Sequence, residues 1–419
     1  MLDRKLAPSF QKTLSLILPE PIQVPLSSGS YVWYTEGIKQ NIVKVEVVFT
    51  AGKWGEPVPG LSHFTSMMLE KGTAGKTSAE LAEALDRYGA NLEINPGFDF
   101  VSISLYSLKS KLKEIFPVFL ELITEPRFPE KEWVQMREIF LQNLKVNQEK
   151  TGYVASKLIR QNIFGPAHPY GSSIEEVDVM AIRPDQFHAF FTTSFALHSA
   201  YLVGSLDATD LEVIRRGLNS LPRREPVVSY GPAVSAAPFA QRVTRGDRLQ
   251  ASVRLGKRSV LKTDFDYPAV LLATHVLGGF FGSRLMKNIR EEKGLTYGIS
   301  ASLNTLQRDS LFIIGADVNR ENVSVVIDEV KKELLELGSV VVPEQELLLA
   351  KNHFIGSLQT DLANPFSVGE RIKTIHLNGL PGDYYQHLLL RIDGLTSDGI
   401  QQATEKHLNR EMLFEVAVG

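Results

Sequence analysis

Residues 221–238 read "LPRREPVVSYGPAVSAAP". Four prolines and a glycine fall here, with no helical period and only a short apolar pair, so the stretch predicts an extended linker. The chain has 419 residues, more than one ordinary core organises. Two domains, residues 1–220 and 239–419, are therefore expected on either side of the 221–238 linker.

Working outward from the linker, the two sides carry the same order of elements. In the first half "KVEVVFTAG" alternates as a strand and leads into a helix over 59–70. A second helix, "SAELAEALDRYG", runs from a Ser78 cap to Gly89. Two strands then flank Asn95-Pro96-Gly97, a long amphipathic helix covers 109–124, and another opens at Pro129-Glu130. In the second half "QASVRLGKR" is a strand, and "DYPAVLLATHVLGG" and "SRLMKNIREEKG" are helices, the latter closed by Gly294. A strand pair over 295–318 and a long helix, "ENVSVVIDEVKKELLELG", follow. The last helix opens at Pro343-Glu344. "DRYGANLEI" answers to "LTYGISASL", and "FPEKEW" to "VPEQEL". This self-similarity favours a duplicated α+β domain, each copy an antiparallel sheet covered by helices, over two unrelated domains sharing an element order.

Composition excludes several classes. Apolar residues make up 43% and charged residues 22%, which fits a globular chain and neither a disordered nor a membrane one. A net charge of -3 without a long basic run gives no reason to expect nucleic acid or an anionic membrane as partner. Cysteine is absent, which removes disulfides and thiolate sites and fits a reducing compartment. The start carries charges at Asp3, Arg4 and Lys5. Its apolar stretch Leu14–Leu18 is broken by Ser15 and is too short for a secretory h-region. No apolar run approaches the roughly 18 residues of a membrane span. The expectation is a cytoplasmic protein, or a precursor whose leader has been removed.

Local motifs supply little chemistry. "GTAGKT", residues 72–77, has Glu70 where a phosphate loop needs its first glycine and follows a helix, so it reads as a helix stop with a cap at Thr77 or Ser78. "GGFFGSRL", residues 278–285, reads as a turn between helices, because Phe280 and Phe281 would crowd an anion. "HPYG" at His168 reads as a loop. His63, His168, His188, His198, His275, His353, His376, His387 and His407 give no pair at the i, i+4 spacing of a metal helix, and there is no G-x-S-x-G elbow. "GLSHFTSMMLEKGT", residues 60–73, nonetheless builds a helix around His63.

Four stretches, "PGLSHFTSMMLEKGT", "GFDFVSISLYS", "HPYGSSIEEVDVM" and "GGFFGSRLMKNIREEKGLTYGISAS", resemble the pitrilysin/insulinase superfamily of inverted-motif zinc peptidases, which includes mitochondrial processing peptidase subunits. The resemblance covers nearly the whole chain from about Leu14, in the family's order. It implies duplicated α+β domains that enclose peptides in a chamber formed by two halves, as dimers or fused chains. The family's first motif is G-L-x-H-x-x-E-H, and Gly60, Leu61, His63, Ser66 and Met67 stand there. In active members the two histidines bind Zn²⁺ and the glutamate is the general base. The third ligand is a glutamate 76 residues past the second histidine, and counting from Met67 reaches Asn143. One ligand of three remains, and the base is lost. Glu70 shares a face with His63, and a Met67 thioether is a poor zinc donor. The resemblance therefore implies no metal in this chain, with Leu61, Phe64, Met67 and Met68 forming a wider apolar stripe.

The family's second half carries an arginine and a tyrosine seven residues apart that bind the substrate backbone and steady the oxyanion. Arg290 and Tyr297 match that pattern. The resemblance thus implies a non-zinc subunit of a two-chain peptidase. A homologous zinc-bearing partner would bring metal and base, and this chain would pair with it, or with itself when pure. The rival expectation is a structural or peptide-holding core subunit that has no use for the pair. A self-sufficient peptidase is opposed by the missing glutamate.

Overall fold

The computed structural model describes residues 14–37, 41–221, 237–246 and 248–419. The charges at Asp3, Arg4 and Lys5, and residues 222–236 of the expected linker, lie outside the described residues. The N-terminal half begins with strands β1 (Ile22–Pro25), β2 (Tyr31–Glu36) and β3 (Ile42–Phe49). Helices α1 (Leu61–Met68) and α2 (Ser78–Arg87) lead to strands β4 (Asn91–Pro96) and β5 (Val101–Leu108). Helices α3 (Leu112–Thr124), α4 (Glu130–Gln148), α5 (Thr151–Phe164), α6 (Glu176–Ala181) and α7 (Pro184–Ser194) follow. Strand β6 (Leu197–Gly204) and helix α8 (Ala208–Asn219) close the half.

The C-terminal half repeats this plan with β7 (Ala240–Val243), β8 (Gln250–Arg258), α9 (Tyr267–Gly278) and a π-helical segment, Met286–Glu292. Strands β9 (Thr296–Thr305) and β10 (Ser310–Asn319) precede α10 (Val323–Ser339) and α11 (Glu344–Asp361). The sequence predicts the last helix at Pro343-Glu344. Three further helices follow it, α12 (Pro365–Leu377), α13 (Tyr384–Gly394) and α14 (Ser397–His407), and then strand β11 (Phe414–Val418).

Sheet order shows the duplication directly. The first sheet runs β1-β2-β6-β3-β5-β4 and the second β7-β11-β8-β10-β9, so β2, β6, β3, β5 and β4 correspond in turn to β7, β11, β8, β10 and β9. Even the one parallel pair recurs, β2 with β6 and β7 with β11, which makes both sheets mixed rather than wholly antiparallel. Strands β3 and β8, which carry Val47 and Val253, hold equivalent places, and Pro129 and Pro343 each cap an equivalent helix. Local signals fix the boundaries. Thr77, not Ser78, caps α2, in a reciprocal capping box with Glu80. Gly60 opens α1 at φ 93, a left-handed conformation that favours glycine, and a Cβ there would press Ile174 at 3.1 Å.

The two halves complete each other's sheets. Along β3 the apolar side chains Val43, Val45, Val47 and Phe49 point into the N-terminal core, beneath α1, α3 and α7. Lys44 and Glu46 alternate to the opposite face, yet they are only 5% and 2% exposed. What covers them is α12, from the other half. Lys44 Nζ lies 2.7 Å from Glu46 and 2.5 Å from Glu370, and Lys373 Nζ lies 2.7 Å from Glu46 and 2.6 Å from Glu370. Burial alone would lower the Lys44 ammonium, but the carboxylates of Glu46 and Glu370 overcome it and hold it above its ordinary value. Trp33 on β2 stacks on His376 of the same helix at 3.4 Å. In return α5 lays Val154, Ile159, Ile163 and Phe164 on Leu311, Phe414, Val416 and Val418 of the second sheet. Residues 14–18 also cross over. Leu16 sits in the C-terminal core, and its N–H donates to Gln386 at 2.6 Å, although sequence position assigns it to the first half.

Candidate functional site

Helix α1 presents two faces. Leu61, Phe64 and Met68 are buried in the core, as their i, i+3, i+7 spacing requires. Met67 does not join that stripe. It shares a half-buried face with His63, four residues before it, and Glu70, three residues after it, each about one turn away. Ser66 is fully buried, and its hydroxyl donates back to the Ser62 carbonyl at 2.7 Å. That hydroxyl is spent inside its own helix. Glu70 pairs with Lys71 at 2.8 Å.

The third ligand position is also closed to metal. Asn143 is exposed on α4, whereas the α4 side chain in ring contact with His63 is Phe140, at 5.8 Å and one turn earlier. Phe140 also packs edge-on to Phe64 at 4.7 Å. The ligand positions that follow His63 on α1 thus carry a serine bonded to its own helix and a thioether, and the α4 side chain against its ring is a phenyl. This donor set does not fit a zinc ion. Among the described residues no group of three or more His, Cys, Asp or Glu side chains could hold a metal.

Charge around His63 opposes a cation as well. Burial, and then the nearby Lys53 ammonium, hold the His63 imidazole below its ordinary value. Lys53 donates to the Ser172 carbonyl at 3.2 Å and lies 5.0 Å from the Phe98 ring. Arg160 on α5 stands 5.7 Å from the same ring, and among the described residues its buried Nε has no hydrogen-bond partner. Burial lowers Lys53 and Arg160 lowers it further, against Glu56. Glu56 accepts from the Gly60 and Ser62 N–H groups, each at 3.1 Å, and so caps α1 from outside its chain turn. Burial nonetheless pushes its carboxyl up to about 7. Sequence reasoning missed Lys53, Glu56 and Arg160. Only Glu56 left a trace, an acid four residues before the helix-opening glycine.

Arg290 and Tyr297 lie at one corner of the C-terminal half, joined by the turn through Gly294 at φ 63. Arg290 lies in the last turn of the π-helical segment with its guanidinium 4.6 Å from the Phe281 ring, which is itself exposed. Tyr297 is the second residue of the edge strand β9, where residues 297 and 298 face the single residue Asp317 of β10. This bulge turns two consecutive side-chain positions outward. Thr296 pins it, its hydroxyl donating to the Asp317 carbonyl at 2.7 Å. Tyr297 is 94% exposed as a result. Among the described residues no hydrogen bond or ring contact links the His63 helix to Arg290 or Tyr297. His168, read as a plain loop residue, is 6% exposed and packed among Trp54, Phe164 and Tyr170.

Known proteins share this plan. Residues 31–175 match the family model described as insulinase (peptidase family M16), and residues 182–354 match the one described as the peptidase M16 inactive domain. A Helicobacter pylori protein named non-peptidase homolog YmxG is 25% identical over 365 residues, 83% of this chain and 82% of its own. An uncharacterized zinc protease of Mycobacterium leprae is 22% identical over 372 residues, 85% of this chain and 82% of its own. The crystal structure of a peptidase M16 inactive domain from Pseudomonas fluorescens superposes with a TM-score of 0.88 at 24% identity, covering 96% of this chain and 98% of that one. The periplasmic protease PqqL from Escherichia coli superposes at 0.79 with 15% identity. All of this chain then corresponds to 49% of that one.

Proposed function

The chain belongs to the insulinase-type M16 peptidase family, and from that premise we propose that it is the non-zinc subunit of a two-chain peptidase. In this reading a homologous partner supplies zinc and the glutamate base. This chain closes the peptide chamber and offers Arg290 and Tyr297 to the bound substrate. The observation that carries the reading is the contrast between its two candidate sites. Around His63 the Ser66 hydroxyl is spent on its own helix, Met67 offers a thioether, and Asn143 stands exposed on α4. Tyr297, by contrast, contributes nothing to the core at 94% exposure, yet a pinned bulge holds it out from an edge strand. An exposed phenol donor beside a guanidinium fork can aim hydrogen bonds at a peptide carbonyl as it gains charge. That the whole chain matches about half of PqqL agrees with a molecule that is one half of a chamber.

The test is peptide hydrolysis by the mixed chains. Together they should exceed either chain alone. Tyr297→Phe deletes only the hydroxyl of an exposed ring, so folding is untouched. Removing a preorganised oxyanion donor should lower turnover on the order of 10²-fold. The loss should fall on kcat if the hydroxyl acts in the transition state, and on KM if it only holds substrate. Arg290→Ala should act in the same direction. If both variants activate the partner as well as the parent does, the chain is a structural or peptide-holding core subunit instead.

A further inference from the structure

Two imidazoles 78 positions apart meet in the C-terminal half. His275 on α9 and His353 on α11 face each other with Nε2 and Nδ1 3.1 Å apart. The helices that bring them together are the second sheet's counterparts of α1 and α4. Pro129 and Pro343 open the corresponding helices, and Phe140 and Phe354 each come eleven residues later. Phe140 lies 5.8 Å from the His63 ring and Phe354 lies 5.5 Å from the His275 ring. His275 therefore lies on the helix that answers to α1, the helix of His63. Unlike His63, it has a second imidazole in front of it.

We propose that His275 and His353 form a binding site for one divalent transition-metal ion of the Zn²⁺, Cu²⁺ or Ni²⁺ kind. Two nitrogens bound to one tetrahedral ion at 2.0–2.1 Å lie about 3.3 Å apart, so the observed separation needs only a small outward shift. Imidazole nitrogen suits these ions among the common divalent metals. The His275 ring is held in place. Phe280 stacks on His275 at 4.9 Å and on His353 at 4.8 Å. Gly279 makes room behind it, since a Cβ there would stand 2.4 Å from His275 Nδ1. His353 is exposed and borders an open hollow of about 620 Å³ lined also by Asn352, Gly356, Ser357 and Asp361. Among the described residues no further His, Cys, Asp or Glu completes the set. The remaining positions fall to water, which makes the ion exchangeable.

This inference is independent of the role given to Arg290 and Tyr297. The experiment strips the full chain with chelator and titrates it with Cu²⁺, following electron paramagnetic resonance and heat. One ion per chain with hyperfine structure from two nitrogens is expected. His353→Ala, at the exposed end of the pair, should fold as the parent and bind at least ten-fold more weakly. Gly279→Ala should weaken binding by displacing the ring, and His63→Ala should leave it unchanged. Absence of saturable binding, or binding that survives both His275→Ala and His353→Ala, would overturn the proposal and leave the two rings as a hydrogen-bonded packing pair.

Discussion

Glu46→Gln tests how the two halves are held together. Glu46 is 2% exposed and receives both Lys44 and Lys373 at 2.7 Å. Its amide counterpart keeps the shape but leaves two ammonium groups sharing Glu370 alone. Breaking a buried ion pair by neutralising one member costs roughly 3–5 kcal/mol. Glu370 is 46% exposed, so solvent screens part of the imbalance and the lower end, about 3 kcal/mol, is expected. The assay is hydrogen exchange at the α12 amides, whose opening uncovers the sheet. A change of this size should speed their exchange roughly 100-fold. Replacing all four residues together, Lys44→Met, Glu46→Leu, Glu370→Leu and Lys373→Met, should return α12 to within about 1 kcal/mol of the parent, because an apolar interface carries no desolvated charge. Acid supplies a second arm. Burial raises the Glu370 carboxyl, but Lys373 and Lys44 outweigh it and hold the group below its ordinary value. A depressed carboxyl gives stability that is present above its unfolded pKa and lost as pH falls through the folded one. The α12 interface should therefore loosen below about pH 4. Exchange at α12 within two-fold of the parent in Glu46→Gln would refute the clamp.

Two further outcomes follow from the N-terminal site. Elemental analysis should find the same metal content in the parent and in His63→Ala, whereas near one zinc per chain lost with that substitution would mean the emptied helix still coordinates. Burial lifts Glu56 from 4.5 to about 7, so the folded state binds the proton more tightly and stability should fall as pH rises through that window. Glu56→Gln keeps an acceptor for the Gly60 and Ser62 N–H groups and should remove the slope, a gain of up to about 3 kcal/mol at pH 8 in urea unfolding. An unchanged slope would assign the pH dependence elsewhere.

The duplication was legible because it rests on local patterns. Alternation marks β3 and β8, Pro-Glu opens α4 and α11, and glycine closes the segment before β9. The final third of the second half was not. Strand β11 is five consecutive buried residues with no alternation to read, and no paired signal marks α12, α13 and α14. Asn143 rested on counting a family spacing between two helices. The ring facing His63 is that of Phe140, one helical turn earlier on α4. The pairing of Lys44 and Glu46 with α12 was equally out of reach, since their partners lie 326 and 327 residues away. In sequence, two charges in a valine-rich strand look like a solvent face. Arg290 and Tyr297 were found through the resemblance alone, and the bulge that turns Tyr297 outward depends on a register with β10 that its own residues do not specify.

The reciprocal loan of α5 and α12 has a consequence for how such a chain could arise and vary. Neither half, taken singly, is a finished object. The first would bare a sheet face carrying Lys44 and Glu46, and the second a face of Leu311, Phe414 and Val416. A single ancestral copy could have met this requirement only by lending its helix to an identical neighbour, as an intertwined pair. In a fused chain such a pair is inherited as one unit. Once fused, the copies were free to diverge, so that one could lose its ligands while the other gained side chains of its own, without either ceasing to cover its sister.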